Sequence, residues 1–176
     1  YTINPGIGIE GDITLELTDS VSLVKNPSFE MPAPYPANWT PSGTDKNVYL
    51  WEKAATVYTG FYCVGLNATD TLPGQEGYWQ SDIIFLKPGD EIRVQAYVKA
   101  EDPTGETMIQ VGFFDADGNQ IGEREASRNL GRRTSDWTRG NVRADVPEGT
   151  VYAKIFLVSK ENSGTVWFDD VSLSLD

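Results

Sequence analysis

Apolar and polar positions alternate in short stretches along most of this chain, and the alternation predicts strands. Residues 91–99 show it best. Ile92, Val94, Ala96 and Val98 alternate there with Arg93, Gln95, Tyr97 and Lys99. Successive side chains of a strand point to opposite faces, so the first set faces a core and the second faces out. In residues 108–114, Ile109, Val111 and Phe113 form one set, and Met108, Gln110, Gly112 and Phe114 form the other. Further strands are predicted over residues 48–53, 60–66, 77–86, 137–144, 151–158 and 165–173, with a short one at 13–17. Turn signals separate them: Pro73-Gly74, Pro88-Gly89, Asp102-Pro103, Asp117-Gly118, Pro147-Glu148-Gly149 and Asn162-Ser163-Gly164. No window holds a helical period, although residues 123–129 allow a single helical turn. Many short strands at this spacing indicate an all-β fold, a two-sheet antiparallel β-sandwich.

The pattern also sets the domain organisation. Residues 1–20 read as a Gly/Pro-rich arm or linker with one possible short strand, and residues 21–176 as a single sandwich domain. Residues 31–42 carry Pro32, Pro34, Pro36 and Pro41 around Trp39, which predicts a long irregular loop with an exposed tryptophan. The chain starts abruptly at Tyr1 without a signal peptide, so it reads as part of a larger protein with other domains as partners.

Charge and residue inventory narrow the function. The net charge is −12, which disfavours a nucleic-acid partner because phosphate binding needs a basic field. No apolar run reaches transmembrane length, so no membrane partner is expected. Cys63 is the one cysteine. It cannot form an intrachain disulfide, and its alternating apolar neighbours predict a buried thiol. There is no histidine, which removes triad chemistry and the commonest general base. A glycosidase needs only two carboxylates, but none sits in a catalytic pattern, so the chain reads as a non-enzyme.

Three groups of residues carry candidate chemistry. The first is the final strand, where Asp169 and Asp170 interrupt an apolar run. Neighbours on a strand cannot both face the same way, and an inward carboxylate needs a partner. With no histidine, that partner is a cation, an Arg or Lys, or backbone N–H groups. Calcium suits an all-oxygen donor set. The second group is the aromatics, with 5 Trp, 8 Tyr and 7 Phe. Sugar rings stack their C–H faces on such rings while amides and charged groups take their hydroxyls. Gln95, Tyr97 and Gln110 are the polar-face candidates. The third is a run of arginines (Arg124, Arg128, Arg132, Arg133, Arg139 and Arg143), six of the 14 basic residues. Arginine suits bidentate carboxylate recognition, so Arg133 and its neighbours are candidates for a uronate; a solvated loop balancing local acids is the alternative.

Several stretches, in order, resemble the jelly-roll carbohydrate-binding modules of families four, nine, sixteen and twenty-two, closest to the sixteen type. They are Leu23-Val24-Lys25-Asn26-Pro27-Ser28-Phe29-Glu30, Thr59-Gly60-Phe61-Tyr62, Trp79-Gln80-Ser81, Leu86-Lys87-Pro88-Gly89-Asp90, Val94 to Ala100, Phe114 to Gly118 and Val166 to Val171. The resemblance implies that the first and last strands lie side by side, stapled by a structural calcium. Its ligands would be Glu30, the Thr59 carbonyl and Asp169. It also implies that Trp39 and Trp137 flank a sugar cleft, with Gln95, Tyr97 and Gln110 between them. The function expected is therefore non-catalytic polysaccharide binding at an extracellular or cell-surface location. The glycan would be of β-glucan or mannan type, or a uronate polysaccharide. The alternative is a structural or adhesive domain of an extracellular or virion assembly, since the same fold serves both.

Overall fold

The computed structural model describes residues 23–32, 36–43, 48–53, 57–68 and 73–176. The arm expected over residues 1–20 and its strand at 13–17 lie outside the described residues. Among the described residues there are eleven strands and no helix: β1 (Trp39–Gly43), β2 (Val48–Lys53), β3 (Tyr62–Ala68), β4 (Glu76–Ser81), β5 (Ile84–Phe85), β6 (Glu91–Glu101), β7 (Glu106–Phe114), β8 (Gln120–Ala126), β9 (Ser135–Asp145), β10 (Tyr152–Lys160) and β11 (Gly164–Leu175). They form two antiparallel sheets. The first runs β1-β4-β10-β7-β8, with β5 also pairing with β10; the second runs β2-β3-β11-β6-β9. This is the two-sheet sandwich that the alternation predicts.

The predicted facing holds in the long strands. On β6, Ile92, Val94, Ala96 and Val98 are buried while Arg93, Gln95, Tyr97 and Lys99 are half-buried on the outside. On β7, Ile109, Val111 and Phe113 join the same core. The two inner faces interlock through β10 (Ala153, Ile155, Leu157) and β11 (Val166, Phe168, Leu173). The Trp79 indole donates to the Gly65 carbonyl at 2.9 Å and so ties β4 of one sheet to β3 of the other. The core is an oily layer in which most buried polar groups are paired; Arg93 Nε, Ser135 Oγ and Thr150 Oγ1 are buried without a partner among the described residues.

Three expectations are corrected. Residues 39–43 are not irregular loop. They form β1, whose partner is β4 with Trp39 opposite Ser81, and Pro41 is tolerated because β1 is an edge strand needing hydrogen bonds on one side only. Residues 120–126 are a strand, not a helical turn. The tight turn at Asp115 closes it: Asp115 donates to the Asn119 carbonyl at 3.0 Å and its side chain accepts from the N–H of Asp117 and Asn119. That turn folds the chain straight back onto β7. The segment 23–30 forms turns rather than a strand. It still runs beside β11, donating from Leu23 N to Leu173 O (3.3 Å) and accepting from Val171 N at Pro27 O (2.9 Å).

Trp39 is a core residue, 3% exposed. Its ring packs on Phe29 with centroids 5.0 Å apart, and its Nε1 donates to the Asn26 carbonyl at 3.1 Å. The expected exposure fails because the segment leading into β1 is tied to the opening turn, where Asn26 Nδ2 donates to Ala37 O at 2.8 Å. Trp39→Ala should therefore lower stability by about 3–5 kcal/mol, the usual cost of truncating a buried Trp. A urea midpoint within error of the parent would contradict this placement. Cys63 is fully buried, and its thiol is pushed up to about 12, first by burial and then by Asp169 and Glu52. The folded protein should resist Ellman's reagent at pH 8 while the urea-unfolded chain reacts completely; fast labelling of the folded form would refute the burial.

Candidate functional site

The outer face of the first sheet holds a groove. Alternation on β4 turns Trp79 inward and leaves Glu76, Tyr78 and Gln80 outside. On β10 the outward set includes Tyr152, Lys154 and Phe156, and on β7 it includes Gln110 and Phe114. Register places Gln80, Phe156 and Gln110 side by side across β4, β10 and β7. Arg124 reaches in from the edge strand β8. Its guanidinium lies 3.6 Å from the Phe156 ring and 5.0 Å from that of Tyr78. It donates to Glu76 Oε1 and Gln110 Oε1, each at 3.2 Å. The result is a cavity of about 250 Å³ lined by Ser42, Gly43, Glu76, Tyr78 and Arg124. Aromatic faces, an amide, a carboxylate and a fixed guanidinium thus share one concave patch.

A second aromatic group lies further along the same face. Phe85, Tyr152 and Phe114 are directly opposite one another on β5, β10 and β7. The Phe114 and Tyr152 rings stack at 5.2 Å and 9°, and Phe85 is 70% exposed. Tyr152 and Phe156 are four residues apart on one strand, a span of roughly 13 Å.

The outer face of the second sheet has a different character. Tyr58 stacks on Tyr97 with centroids 3.6 Å apart and touches Trp137 at 5.9 Å. The Tyr58 hydroxyl ionises above its ordinary range, first because of its hydrogen bond to Tyr97 and then through burial. Beneath this aromatic cap lies Asp169, fully buried on β11. Its Oδ2 accepts from the N–H of Tyr58 and Thr59, both at 2.9 Å, and its Oδ1 from Asp170 N at 2.7 Å. Burial pushes the carboxyl up to about 6, against those three N–H groups, which lower it. Glu30 Oε1 serves the same loop, accepting from Phe61 N at 2.8 Å and Tyr62 N at 3.0 Å. Gly60 is required between them: its φ is +67, and a Cβ there would run into the Glu30 carboxylate.

The expected metal ligands Glu30, Thr59 and Asp169 are thus brought to one loop, residues 57–62. Their donor chemistry fits a hard cation, being two carboxylates and a backbone carbonyl, all oxygen. No three Asp, Glu, Cys or His side chains gather as a metal group among the described residues. The backbone N–H bonds also satisfy Asp169 without a metal.

The expected sugar-binding residues are dispersed. Gln95 and Tyr97 on β6 and Trp137 on β9 share the outer face of the second sheet, whereas Gln110 lies on the outer face of the first. No single sugar chain laid on one face meets all of them, and Trp39 is in the core. Arg133 lines a separate cavity at the β8–β9 edge. Tyr78, Phe156 and Tyr58 were not among the expected residues, and Arg124 was expected only within the arginine run, not beside these aromatics. Tyr78 was within reach, because alternation puts it opposite Trp79. Arg124 was not, because an edge strand written Gln-Ile-Gly-Glu-Arg-Glu-Ala has no apolar alternation to mark its faces.

No protein-family model and no curated protein sequence matches the chain. Solved structures do. The enzymatically active domain of tailspike protein 4 from bacteriophage CBA120 superposes with a TM-score of 0.70 at 20% identity, over 89% of this chain and 22% of that one. The N-terminal endo-1,4-beta-D-xylanase 10B of Clostridium thermocellum, a CBM22-1 and GH10 pair in complex with xylohexaose, gives 0.62 at 16% identity, over 89% of this chain and 28% of that one. TmCBM61 in complex with beta-1,4-galactotriose gives 0.59 at 20% identity, over 88% and 99%. This chain therefore spans about a quarter of the tailspike and xylanase chains, and nearly all of the isolated module. At these identities the likeness speaks to architecture, and the architecture is the jelly-roll sandwich of carbohydrate-binding modules.

Proposed function

We propose that this chain is a non-catalytic polysaccharide-binding module, which holds an attached protein to its glycan at an extracellular or cell-surface location. The observation that carries the reading is the groove of the first sheet. Tyr78 and the Arg124–Phe156 stack offer planes to a pyranose ring, and Gln110, Glu76 and Ser42 offer donors and acceptors to its hydroxyls. The row Phe85, Tyr152 and Phe114 extends the surface so that an extended chain, rather than one sugar, is the natural ligand. Support comes also from sandwiches of the same fold that were solved with xylohexaose and galactotriose. Among the described residues Glu76 is the one carboxylate lining the groove, and it is ion-paired with Arg124 at 3.2 Å. Glycoside hydrolysis needs two facing carboxyl groups, so the groove suits holding a glycan rather than cleaving it.

Affinity electrophoresis against soluble β-glucans, mannans, xylans, galactans and alginates should show retardation by at least one polymer. Tyr78→Ala should weaken that binding by roughly 1–3 kcal/mol, by analogy with base–aromatic stacking, which is about tenfold to over a hundredfold. Trp137→Ala, on the opposite face, should leave it intact. The reverse pattern would move the site to the second sheet.

A second reading is favoured by the tailspike likeness and by the exposed Phe85 and Phe61 (70% and 67%). In it the domain is a structural or adhesive part of a virion or surface assembly. Failure to bind any polymer, together with concentration-dependent self-association lost in Phe85→Ser, would support that reading over the first.

Calcium held by Glu30, the Thr59 carbonyl and Asp169 belongs to the proposal as a structural staple. It would supply the positive charge that the buried Asp169 lacks and clamp residues 57–62 to both chain segments. At a hundredfold excess over its dissociation constant, a bound ion stabilises by about 2.7 kcal/mol, or roughly 5–11 °C in Tm for a domain of this size. Adding calcium to chelator-stripped protein should raise Tm by that order, and Asp169→Asn should remove the response. Identical melting curves with calcium and with excess chelator would rule the staple out.

A further inference from the structure

We propose that the edge of the sandwich between β8 and β9 is a second glycan site, specific for a carboxylate carried on a sugar, such as a uronate substituent of an otherwise neutral polysaccharide. The proposal rests on the polysaccharide-binding reading for its choice of ligand class, but uses none of the residues of the groove.

Two adjoining cavities open at this edge. One, of about 400 Å³, is lined by residues that include Arg128, Arg132, Arg133 and Ser135. The other, of about 430 Å³, is lined by Arg128, Leu130, Arg139, Gly140 and Asn141. Each is large enough for a small ligand, and they share Arg128 and Leu130. Arg128 lines both cavities, with Arg132 and Arg133 in the first and Arg139 in the second. Among the described residues Arg93 and Arg143 pair with Asp176, Arg124 with Glu76, Lys99 with Asp136 and Lys160 with Glu106, whereas Lys25, Lys53, Lys87 and Lys154 have no ion pair. Arg128, Arg132, Arg133 and Arg139 have no carboxylate within 4.0 Å and no side-chain hydrogen bond among the described residues. In a chain of net charge −12, these four arginines stand near one another without an acid within 4.0 Å among the described residues. The Oγ of Ser135, in the same lining, is buried without a hydrogen-bond partner among the described residues.

The backbone that carries these groups is fixed in place. Ser127 N donates to Ile109 O at 2.9 Å and Ser127 Oγ accepts from Ile109 N at 3.0 Å. Leu130 N donates to Thr107 O at 2.8 Å. Asn129 Oδ1 accepts from Thr107 N and Gly131 N, and its Nδ2 donates to Gly105 O, all at 3.0 Å. Leu130 seats against Gly140, where any Cβ would strike it, and gives the opening an apolar floor. A rigid loop, an apolar floor and convergent guanidinium groups match a sugar ring that bears a carboxylate, because Arg binds carboxylates through two parallel hydrogen bonds. The overall negative field repels a dense polyanion, so a sparse carboxylate on a neutral chain is the ligand favoured. Arg124 of the groove and Arg128 of this site are four residues apart, at most about 14 Å along the chain. One branched glycan can therefore span both.

The test is a ¹⁵N–¹H NMR titration of the whole chain with sodium D-glucuronate, D-glucose and sodium sulfate at constant ionic strength. Glucuronate should give saturable shifts in the amides of residues 127–134 and 138–141. Glucose should give none there. The double variant Arg128→Gln/Arg133→Gln, at exposed positions that leave the core intact, should weaken glucuronate binding by about tenfold or more. Sulfate shifts that saturate at the same concentration would overturn the carboxylate specificity. Absent glucuronate shifts, or shifts unchanged in the double variant, would overturn the site. A paired electrophoresis uses glucuronoxylan and the same polymer with its carboxyls reduced to alcohols. The wild type should prefer the acidic form, and the double variant should lose that preference. Failure of the groove reading shows separately, as Tyr78→Ala without effect on either polymer.

Discussion

The carboxylate of Asp169 is buried on the central strand of the second sheet, and much of the molecule is arranged to tolerate it. Charge in a low-dielectric interior is costly unless polar groups meet it. Three backbone N–H groups do so here, two of them from Tyr58 and Thr59. That requirement pulls residues 57–61 across the face of the sheet and sets Tyr58 on Tyr97. It also shapes the strand. The β11 ladder with β6 breaks between Asp169 and Ser172, and Asp170 takes φ +50, a left-handed conformation costing a non-glycine residue about 1–3 kcal/mol. The irregularity frees Val171 N to donate to Pro27 O, so the segment that carries Glu30 docks where the strand bends. One buried acid thus links the loop after β2, the opening segment and the last strand. Its neighbour Cys63 feels the same negative field and stays a protonated, inert thiol.

The two outer faces divide the labour. Both sheets spend one face on the common core, so only the outer faces are free for recognition. The second sheet gives its outer face over to the Asp169 cap, where Tyr58, Tyr97 and the Trp167–Glu52 hydrogen bond at 2.7 Å cover the strands. Among the described residues no such cap covers the first sheet. Its outward side chains are held by register and by Arg124, which lies flat on Phe156 instead of reaching into water. A guanidinium stacked on an aromatic ring and bonded to Glu76 and Gln110 has little freedom left to lose when a sugar arrives, and such preorganisation strengthens binding.

The sequence carried the strands and their inner faces because alternation is a local property. Ile92, Val94, Ala96 and Val98 can be placed without knowing what they pack against. The outer faces were harder. Gln95, Tyr97 and Gln110 look equivalent as outward residues of neighbouring strands in sequence, yet β6 and β7 belong to different sheets. A crossover between sheets leaves no periodic trace, so residues that look like one surface lie on opposite sides of the molecule. Trp39 misled for a related reason. Prolines and polar neighbours describe a segment that leaves the ladder on one side, and that is as true of an edge strand folded over a core as of a solvated loop. By contrast, Glu30 and Asp169, far apart in sequence, both accept from backbone N–H groups of residues 58–62, a long-range contact that periodicity does not encode.

The placement of charge completes the account. A net charge of −12 repels other acidic surfaces, whereas a neutral chain meets no such barrier. The positive groups that remain are therefore informative by position. Some basic residues have an acid beside them, as Asp176 accompanies Arg93 and Arg143 at the end of β11. The arginines of the β8–β9 edge lack such company although the chain is rich in acids, and the loop beneath them is among the most heavily hydrogen-bonded connections in the described structure. Rigid backbone is costly in entropy, and a loop needed only to join two edge strands has no use for that order. Carried on that backbone and without counter-charges of their own among the described residues, these side chains form a basic patch on an acidic domain. That is the local inverse of the field around it, and it gives a sparse anion on a neutral chain a reason to stop there.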